Sequence, residues 1–141
     1  MKMLNVKDQV TNGFQIGFEE EAEVAAGLIE RAPARIKVIG VGGGGCNCVK
    51  RMLHHAVPGV TFAMVNTDIK ALEYRGESID VIQIGENETH GWGAGGDYKA
   101  GARAAEESTA ALRKTLSNTE LVFVTAGMGG GTGTGAAPYV A

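Results

Sequence analysis

Leu121-Val122-Phe123-Val124-Thr125, and then Gly127-Met128-Gly129-Gly130-Gly131-Thr132-Gly133-Thr134-Gly135, are the residues on which the fold turns. The first five are apolar or β-branched and read as a buried strand. The glycines that follow run into Ala136-Ala137-Pro138-Tyr139-Val140-Ala141, where a helix is expected to begin and has room for barely one turn. A helix starting directly after a strand leaves several backbone N–H groups unpaired, with the helix dipole behind them, and so attracts an anion. Thr132 and Thr134 suit either of two roles, donating to that anion or capping the helix.

The same grammar occurs earlier in the chain. Arg35-Ile36-Lys37-Val38-Ile39 reads as a strand, Gly40-Val41-Gly42-Gly43-Gly44-Gly45 as a glycine turn, and Cys48 to Ala56 as a helix with Val49, Met52, Leu53 and Ala56 at helical spacing. Pro58-Gly59 stops that helix, and Val60-Thr61-Phe62-Ala63-Met64-Val65 resumes a strand, which completes a βαβ unit. Glycines at 42 to 45 let a phosphate approach the backbone closely. The turn also satisfies GxGxxG, with Asp68 near the place of a ribose-binding acid. Alone, this pattern fits a dinucleotide site or a purely structural tight turn. The second cradle decides for a phosphate site, since an ordinary dinucleotide fold needs only one. In a parallel sheet of order 3-2-1-4 the strands before the two cradles are neighbours at the topological switch point, so both helix N-termini open onto one crevice. The expected fold class is therefore α/β, a Rossmann-like parallel sheet of that order, incomplete within this chain.

Between these units lies Gly91-Trp92-Gly93-Ala94-Gly95-Gly96, after a short strand Val81-Ile82-Gln83-Ile84 and before a helix expected from Tyr98 to Leu116. Ala102, Ala105, Thr109, Leu112 and Leu116 give that helix a narrow apolar stripe, Asp97 suits its N-cap, and Arg113 with Lys114 suit its end. The glycine loop fits either a flexible connector or a flap over a terminal phosphate. Glycines at 40–45, 91–101 and 127–135 account for 16 of the chain's 22, so the excess is local and is no linker bias.

The remaining composition mainly excludes. With 141 residues, 44% hydrophobic and only 6% aromatic, the chain fits one globular domain. Lys+Arg total 13 against 16 Asp+Glu, a net charge of -3, which argues against a nucleic-acid partner. Cys46 and Cys48 are too close for an ordinary bridge and too few for a disulfide scaffold or a four-cysteine zinc site, so a reducing compartment is expected. The N-terminus lacks a signal-peptide apolar run, and the uncharged stretch 121–141 is broken by glycine, so no membrane insertion is expected. No Gly-Lys-Ser/Thr occurs, so this is no Walker loop, and Lys99 is the only cationic side chain within the three glycine windows. Phosphate charge must be met by amides and bound cations. Residues 1–34 read as a disordered start followed by an amphipathic appendage, with Phe18, Ala22, Ala25 and Ile29 on a stripe and Pro33 at its end. Their acidic run reads as a solvated face.

Gly42-Gly43-Gly44-Gly45-Cys46-Asn47, Val65-Asn66-Thr67-Asp68 with Ala71-Leu72, Gly91-Trp92-Gly93-Ala94-Gly95-Gly96 and Gly127 through Pro138 together resemble, in order and spacing over residues 35–141, the bacterial FtsZ branch of the tubulin superfamily. The resemblance implies a truncated GTP-binding domain at 35–141. It further implies hydrolysis of GTP to GDP and phosphate with magnesium, polymerisation with itself or full-length FtsZ-like subunits, and work with other cell-division proteins in the cytokinetic ring, in the cytoplasm at the division site. Carried onto this chain, Gly43, Gly44, Gly45, Cys46 and Asn47 would lie along the α/β-phosphates and nucleoside side. Ala94, Gly95 and Gly96 would sense the γ-phosphate, and Gly129, Gly130, Gly131, Thr132, Gly133 and Thr134 would form the signature cradle. Asn66 with Asp68 would line the pocket through magnesium-bound water, although Asp68 serves equally as a turn and cap residue, since Asn-Thr-Asp is good turn chemistry.

Some positions depart from the family. Gly96-Asp97-Tyr98 stands where Asn-Pro is common, Cys48 and Lys50 replace the usual small and polar residues, and His54 and His55 read as surface residues at a helix end. The family's acidic loop, which reaches the next subunit's nucleotide, lies beyond position 141, so no catalytic residue is expected in this chain. Two further functions fit the same residues: a shortened, non-catalytic paralogue that modulates or caps filaments, and a dinucleotide-binding oxidoreductase domain, against which the second cradle speaks. An apolar edge at the strand Leu121 to Thr125 predicts poor solubility or weak nucleotide affinity.

Overall fold

A computed structural model describes residues 34–55, 58–74 and 79–141. The expected extension, a disordered start and a short helix with its stripe of Phe18, Ala22, Ala25 and Ile29, lies outside the described residues up to Pro33, as does Ala56. Strand β1 (Ile36–Val41) runs directly into helix α1 (Gly42–Met52), closed by a 3-10 turn at Leu53–His55. Strand β2 (Val60–Asn66), a 3-10 turn (Lys70–Leu72), strand β3 (Ile79–Gln83) and a single-turn helix α2 (Glu86–Thr89) follow. Helices α3 (Tyr98–Glu107) and α4 (Thr109–Leu116), strand β4 (Leu121–Ala126) and helix α5 (Thr132–Val140) complete the chain.

The four strands form one parallel sheet in the order β3-β2-β1-β4, as the sequence implied. In register, Val41 at the end of β1 stands beside Val65 of β2 and Ala126 of β4. The β-branched run of β1 is central, between β2 and β4, and both faces of the sheet are covered, which suits continuous apolar strands. On one face Ile39, Val41, Ala63 and Val65 pack with Ala104, Ala105, Leu112, Ala136, Ala137 and Val140 from α3, α4 and α5. On the other, Phe62 and Met64 meet Cys46 and Val49 of α1 and Leu72. Lys37 interrupts the apolar pattern of β1, and burial of its charge is tolerable only with partners. Its Nζ donates to Asp80 Oδ2 at 2.6 Å and to the Thr115 carbonyl at 2.9 Å, tying β1 to β3 and to the end of α4. At the β4 edge Leu121 is 46% and Phe123 54% exposed. No helix among the described residues is long and apolar enough to cross a membrane.

Three element expectations need correction. The glycines at 42–45 are not a turn ahead of a helix; they are its first turn, because Gly42, at φ +69°, lets the chain enter α1 straight from β1. The expected helix Tyr98–Leu116 is two helices that meet at Ser108. There the Ser108 hydroxyl accepts the Gly85 N–H at 3.0 Å and Thr109 Oγ1 donates to the Glu106 carbonyl at 2.8 Å, hydroxyl bonds that compete with the helical ladder. The break shifts the buried stripe to Gly101, Ala104, Ala105 and Leu112 and leaves Thr109 exposed. Finally, α5 begins at Thr132 and spans 9 residues, so the signature glycines after Thr132 are helical. Asp97 caps α3 as expected, its Oδ1 accepting from the Lys99 N–H at 2.8 Å.

Candidate functional site

The C-terminal ends of β1, β2 and β4 open onto a cleft of about 310 Å³. One wall is Gly43 and Gly44 at the start of α1; the facing wall is Gly127 and Gly130 to Gly133 at the start of α5. Asn66, Asp68 and Ala71 form the floor after β2, and Trp92 to Gly96 form the third side. The two helix starts touch. A methyl placed on Gly42 would stand 2.6 Å from the Gly133 nitrogen, and one on Gly44 would stand 3.2 Å from the Gly127 Cα. Nothing lies within 4 Å of a methyl placed on Gly43 or Gly130, so the space beside those backbones is open to a ligand. Gly45 serves packing instead, because its methyl would overlap the Thr125 carbonyl oxygen of β4.

The third side is an ordered loop. Gly91, Gly93, Gly95 and Gly96 all have positive φ, from +57° to +86°, conformations that L side chains rarely adopt. The Gly91 carbonyl accepts from the Ile69 N–H at 3.2 Å, and the Ala94 carbonyl from the Asp97 N–H at 2.9 Å. Trp92 stands 81% exposed at the rim, with Lys70 Nζ 6.0 Å from its ring centroid. Helix α2 behind the loop is pinned by Glu107, which accepts the Asn87 N–H at 3.1 Å and the Glu88 N–H at 3.2 Å. These bonds, the Asn87 one foremost, hold the Glu107 carboxyl below its usual range.

The polar floor is built from Asn66, Thr67 and Asp68. Asn66 is 3% exposed, and its Oδ1 accepts the N–H groups of Thr67 at 2.9 Å and Asp68 at 3.3 Å. That fixes the amide, whose Nδ2 has no acceptor among the described residues. Asp68 does both things its sequence context allowed: Oδ1 accepts the Lys70 N–H at 2.9 Å and caps the 3-10 turn, while the residue lines the cleft. Among the described residues no Lys or Arg lines the cleft and Asp68 is the one carboxylate that does, so favourable charge for an anion comes from backbone N–H dipoles.

Among the sequence-derived candidates, Gly43, Gly44, Asn66, Asp68, Ala94, Gly95, Gly96, Gly130, Gly131, Thr132 and Gly133 line this cleft; Gly45, Cys46, Asn47, Gly129 and Thr134 do not. The Cys46 side chain turns into the core, 3.7 Å from the Gly40 carbonyl and 3.6 Å from that of Val65, and burial pushes its thiol up to about 11. Thr134 Oγ1 accepts the Gly129 N–H at 3.0 Å and so braces the turn. Neither threonine hydroxyl caps α5. Ala71, Trp92, Gly93 and Gly127 line the cleft in addition; the last three belong to the glycine windows, and Ala71 belongs to the Asn66-Thr67-Asp68 and Ala71-Leu72 segment that the resemblance includes. A more apolar groove of about 450 Å³ lies at the opposite end of the strands, lined by Ile36, Val38, Met52, Phe62 and Phe123 among others, and no helix N-terminus opens into it.

A parallel α/β sheet that brings two helix N-termini to one side of its switch point defines a class of anion-cradling domain. The description of the Tubulin/FtsZ family, GTPase domain, matches residues 35–141. The chain belongs to that family. It is 54% identical over 110 residues to the cell division protein FtsZ of Porphyromonas gingivalis, an alignment that covers 77% of this chain and 24% of that protein. An empty FtsZ dimer from M. jannaschii superposes with a TM-score of 0.76 at 38% identity, covering 85% of this chain and 35% of that one. CetZ2 from Haloferax volcanii, solved as a GTPγS-bound protofilament, matches with a TM-score of 0.64 at 28% identity over 75% of this chain and 34% of that one. The chain thus spans about a quarter of the length of the Porphyromonas relative and about a third of the solved structures it resembles.

Proposed function

We propose that this chain binds GTP and GDP in the glycine cleft and forms the nucleotide-cradling part of an FtsZ-like polymer subunit, acting at the cytoplasmic division site with other cell-division proteins. The carrying observation is the contact between the N-termini of α1 and α5 across one cleft, at Gly42 and Gly133. A triphosphate lying there meets two sets of unpaired N–H groups at once, which suits chemistry run by positioning and electrostatics. Gly43, Gly44 and Gly130 to Gly133 take the phosphates, and Gly95 and Gly96 the terminal one.

Magnesium fits as a companion of the phosphates. No cluster of three or more metal-ligating side chains exists among the described residues, and Asp68 supplies the one carboxylate that would hold the ion, through water. Bound there, the ion would neutralise phosphate charge. No residue of this chain is assigned as general base; hydrolysis is completed by a group from a neighbouring subunit in a filament. The test is titration of the chain with a fluorescent GTP analogue, competed separately with GDP and NAD. Saturable binding displaced by GDP and not by NAD is expected. Displacement by NAD, or no binding of either guanine nucleotide, would overturn the proposal.

A further inference from the structure

Thr67 is wholly buried, yet its hydroxyl lies 2.6 Å from that of Thr132, which is 8% exposed and lines the cleft. Hydrogen-bond accounting settles which of the two donates. Each hydroxyl has one proton to give and two lone pairs. Thr132 is the sole partner of Thr67 Oγ1 among the described residues. If Thr132 gave its proton to Thr67, the Thr67 proton would be buried with no acceptor, a costly arrangement. If Thr67 gives its proton to Thr132, the buried hydroxyl is served, and the Thr132 proton is left over on the residue that faces the cleft.

We infer that Thr67 is a positioning residue, which by donating to Thr132 Oγ1 turns the Thr132 O–H toward the anion in the cleft. The device is rigid on the Thr67 side. The Thr67 N–H donates to Asn66 Oδ1 at 2.9 Å, its carbonyl accepts from Thr89 Oγ1 at 3.4 Å, and its β-branch restricts the rotamer. An incoming donor also polarises the Thr132 hydroxyl and strengthens the bond it makes in turn. This rests on the proposal that the cleft holds nucleotide phosphate.

The experiment compares the wild-type chain with Thr67→Val, Thr67→Ser, Thr132→Val and the double valine variant by GTP and GDP titration, each checked for folding by thermal melt. Thr67→Val is expected to bind about three- to tenfold more weakly, the range of one modest hydrogen bond. Thr67→Ser should restore wild-type affinity, and the double variant should bind no more weakly than Thr132→Val alone. Unchanged or tighter binding by a folded Thr67→Val, failure of serine to rescue, or full additivity overturns the inference. Hydroxyl protons of the wild-type protein, read by NMR, give a measure independent of the variants. A protected Thr67 hydroxyl proton beside an exchanging Thr132 proton supports the inference, and the reverse overturns it. A wild-type chain that takes up neither nucleotide would defeat the underlying proposal, while the NMR result would still decide the direction of the proton.

Discussion

Gly101→Ala should cost stability, although it puts the best helix former into a helix interior. Gly101 sits in α3, and a methyl placed there would lie 2.6 Å from the Gly131 carbonyl oxygen, 2.9 Å from Thr132 Cα and 3.0 Å from the Gly131 carbonyl carbon. Comfortable carbon contacts begin near about 3.5 Å, so the overlap approaches an ångström, and every atom met is backbone. Helix propensity favours alanine by about 0.5–1 kcal/mol, whereas overpacking costs about 1–3 kcal/mol. The net expectation is a loss of about 1–2 kcal/mol, or roughly 5–10 °C in melting temperature for a domain of this size. The backbone that the methyl meets also borders the site: Gly130, Gly131 and Thr132 line the cleft, and the Gly131 carbonyl accepts the Gly135 N–H at 3.0 Å at the start of α5. Strain relieved through this segment is felt in the cleft. Urea melts with and without GDP would read both effects, since a ligand at about 100 times its Kd adds about 2.7 kcal/mol of stability. The variant should be less stable and should lose most of that increment. A Gly101→Ala protein more stable than wild type, or one destabilised with its GDP increment intact, would refute the reasoning.

Gly43→Ala should do the opposite to the free protein: Gly43 is helical with open space around it, so alanine stabilises by roughly 0.5 kcal/mol while its methyl weakens GDP binding about tenfold or more, and equal binding by calorimetry would count against the Gly43 backbone facing the ligand. For the cysteines, a thiol reagent should modify Cys48, which is partly exposed, in the native protein and reach buried Cys46 only after denaturation. Because burial raises the Cys46 thiol from 9.0 to about 11, the unfolded chain sheds that proton first, so stability is untouched at neutral pH and falls as pH rises across that window. Two thiols modified at equal rates in the native protein, or melts flat over that range, would contradict this.

Much of the site was legible because its chemistry is backbone chemistry. The runs Gly42 to Gly45 and Gly127 to Gly135 mark a place where side chains are excluded, and glycine announces that directly in sequence. The strands were legible too, since a parallel sheet covered on both faces demands continuous apolar runs such as Val60 to Val65. Element ends were less so. The break at Ser108 depends on the Gly85 N–H, a partner 23 positions away, and no periodicity within Tyr98 to Leu116 contains it. The start of α5 is not legible locally because glycines read as turn, whereas here Thr132-Gly133-Thr134-Gly135 are helical, held against α3 through close contacts at Gly101 and Gly135.

By itself, then, the order of residues determined a βαβ grammar, the strand order and two glycine cradles, since these follow from local periodicity and from the conformational freedom of glycine. Which side chains serve the cleft was decided only in three dimensions. Cys46 lies between cleft-lining residues and a buried helix face, and α1 turns its thiol into the core. Thr67 and Thr132 are 65 positions apart, and only the parallel pairing of β2 with β1 and of β1 with β4 brings their hydroxyls within 2.6 Å. A side chain's direction depends on how its element is rotated against distant neighbours, and that rotation is set by packing.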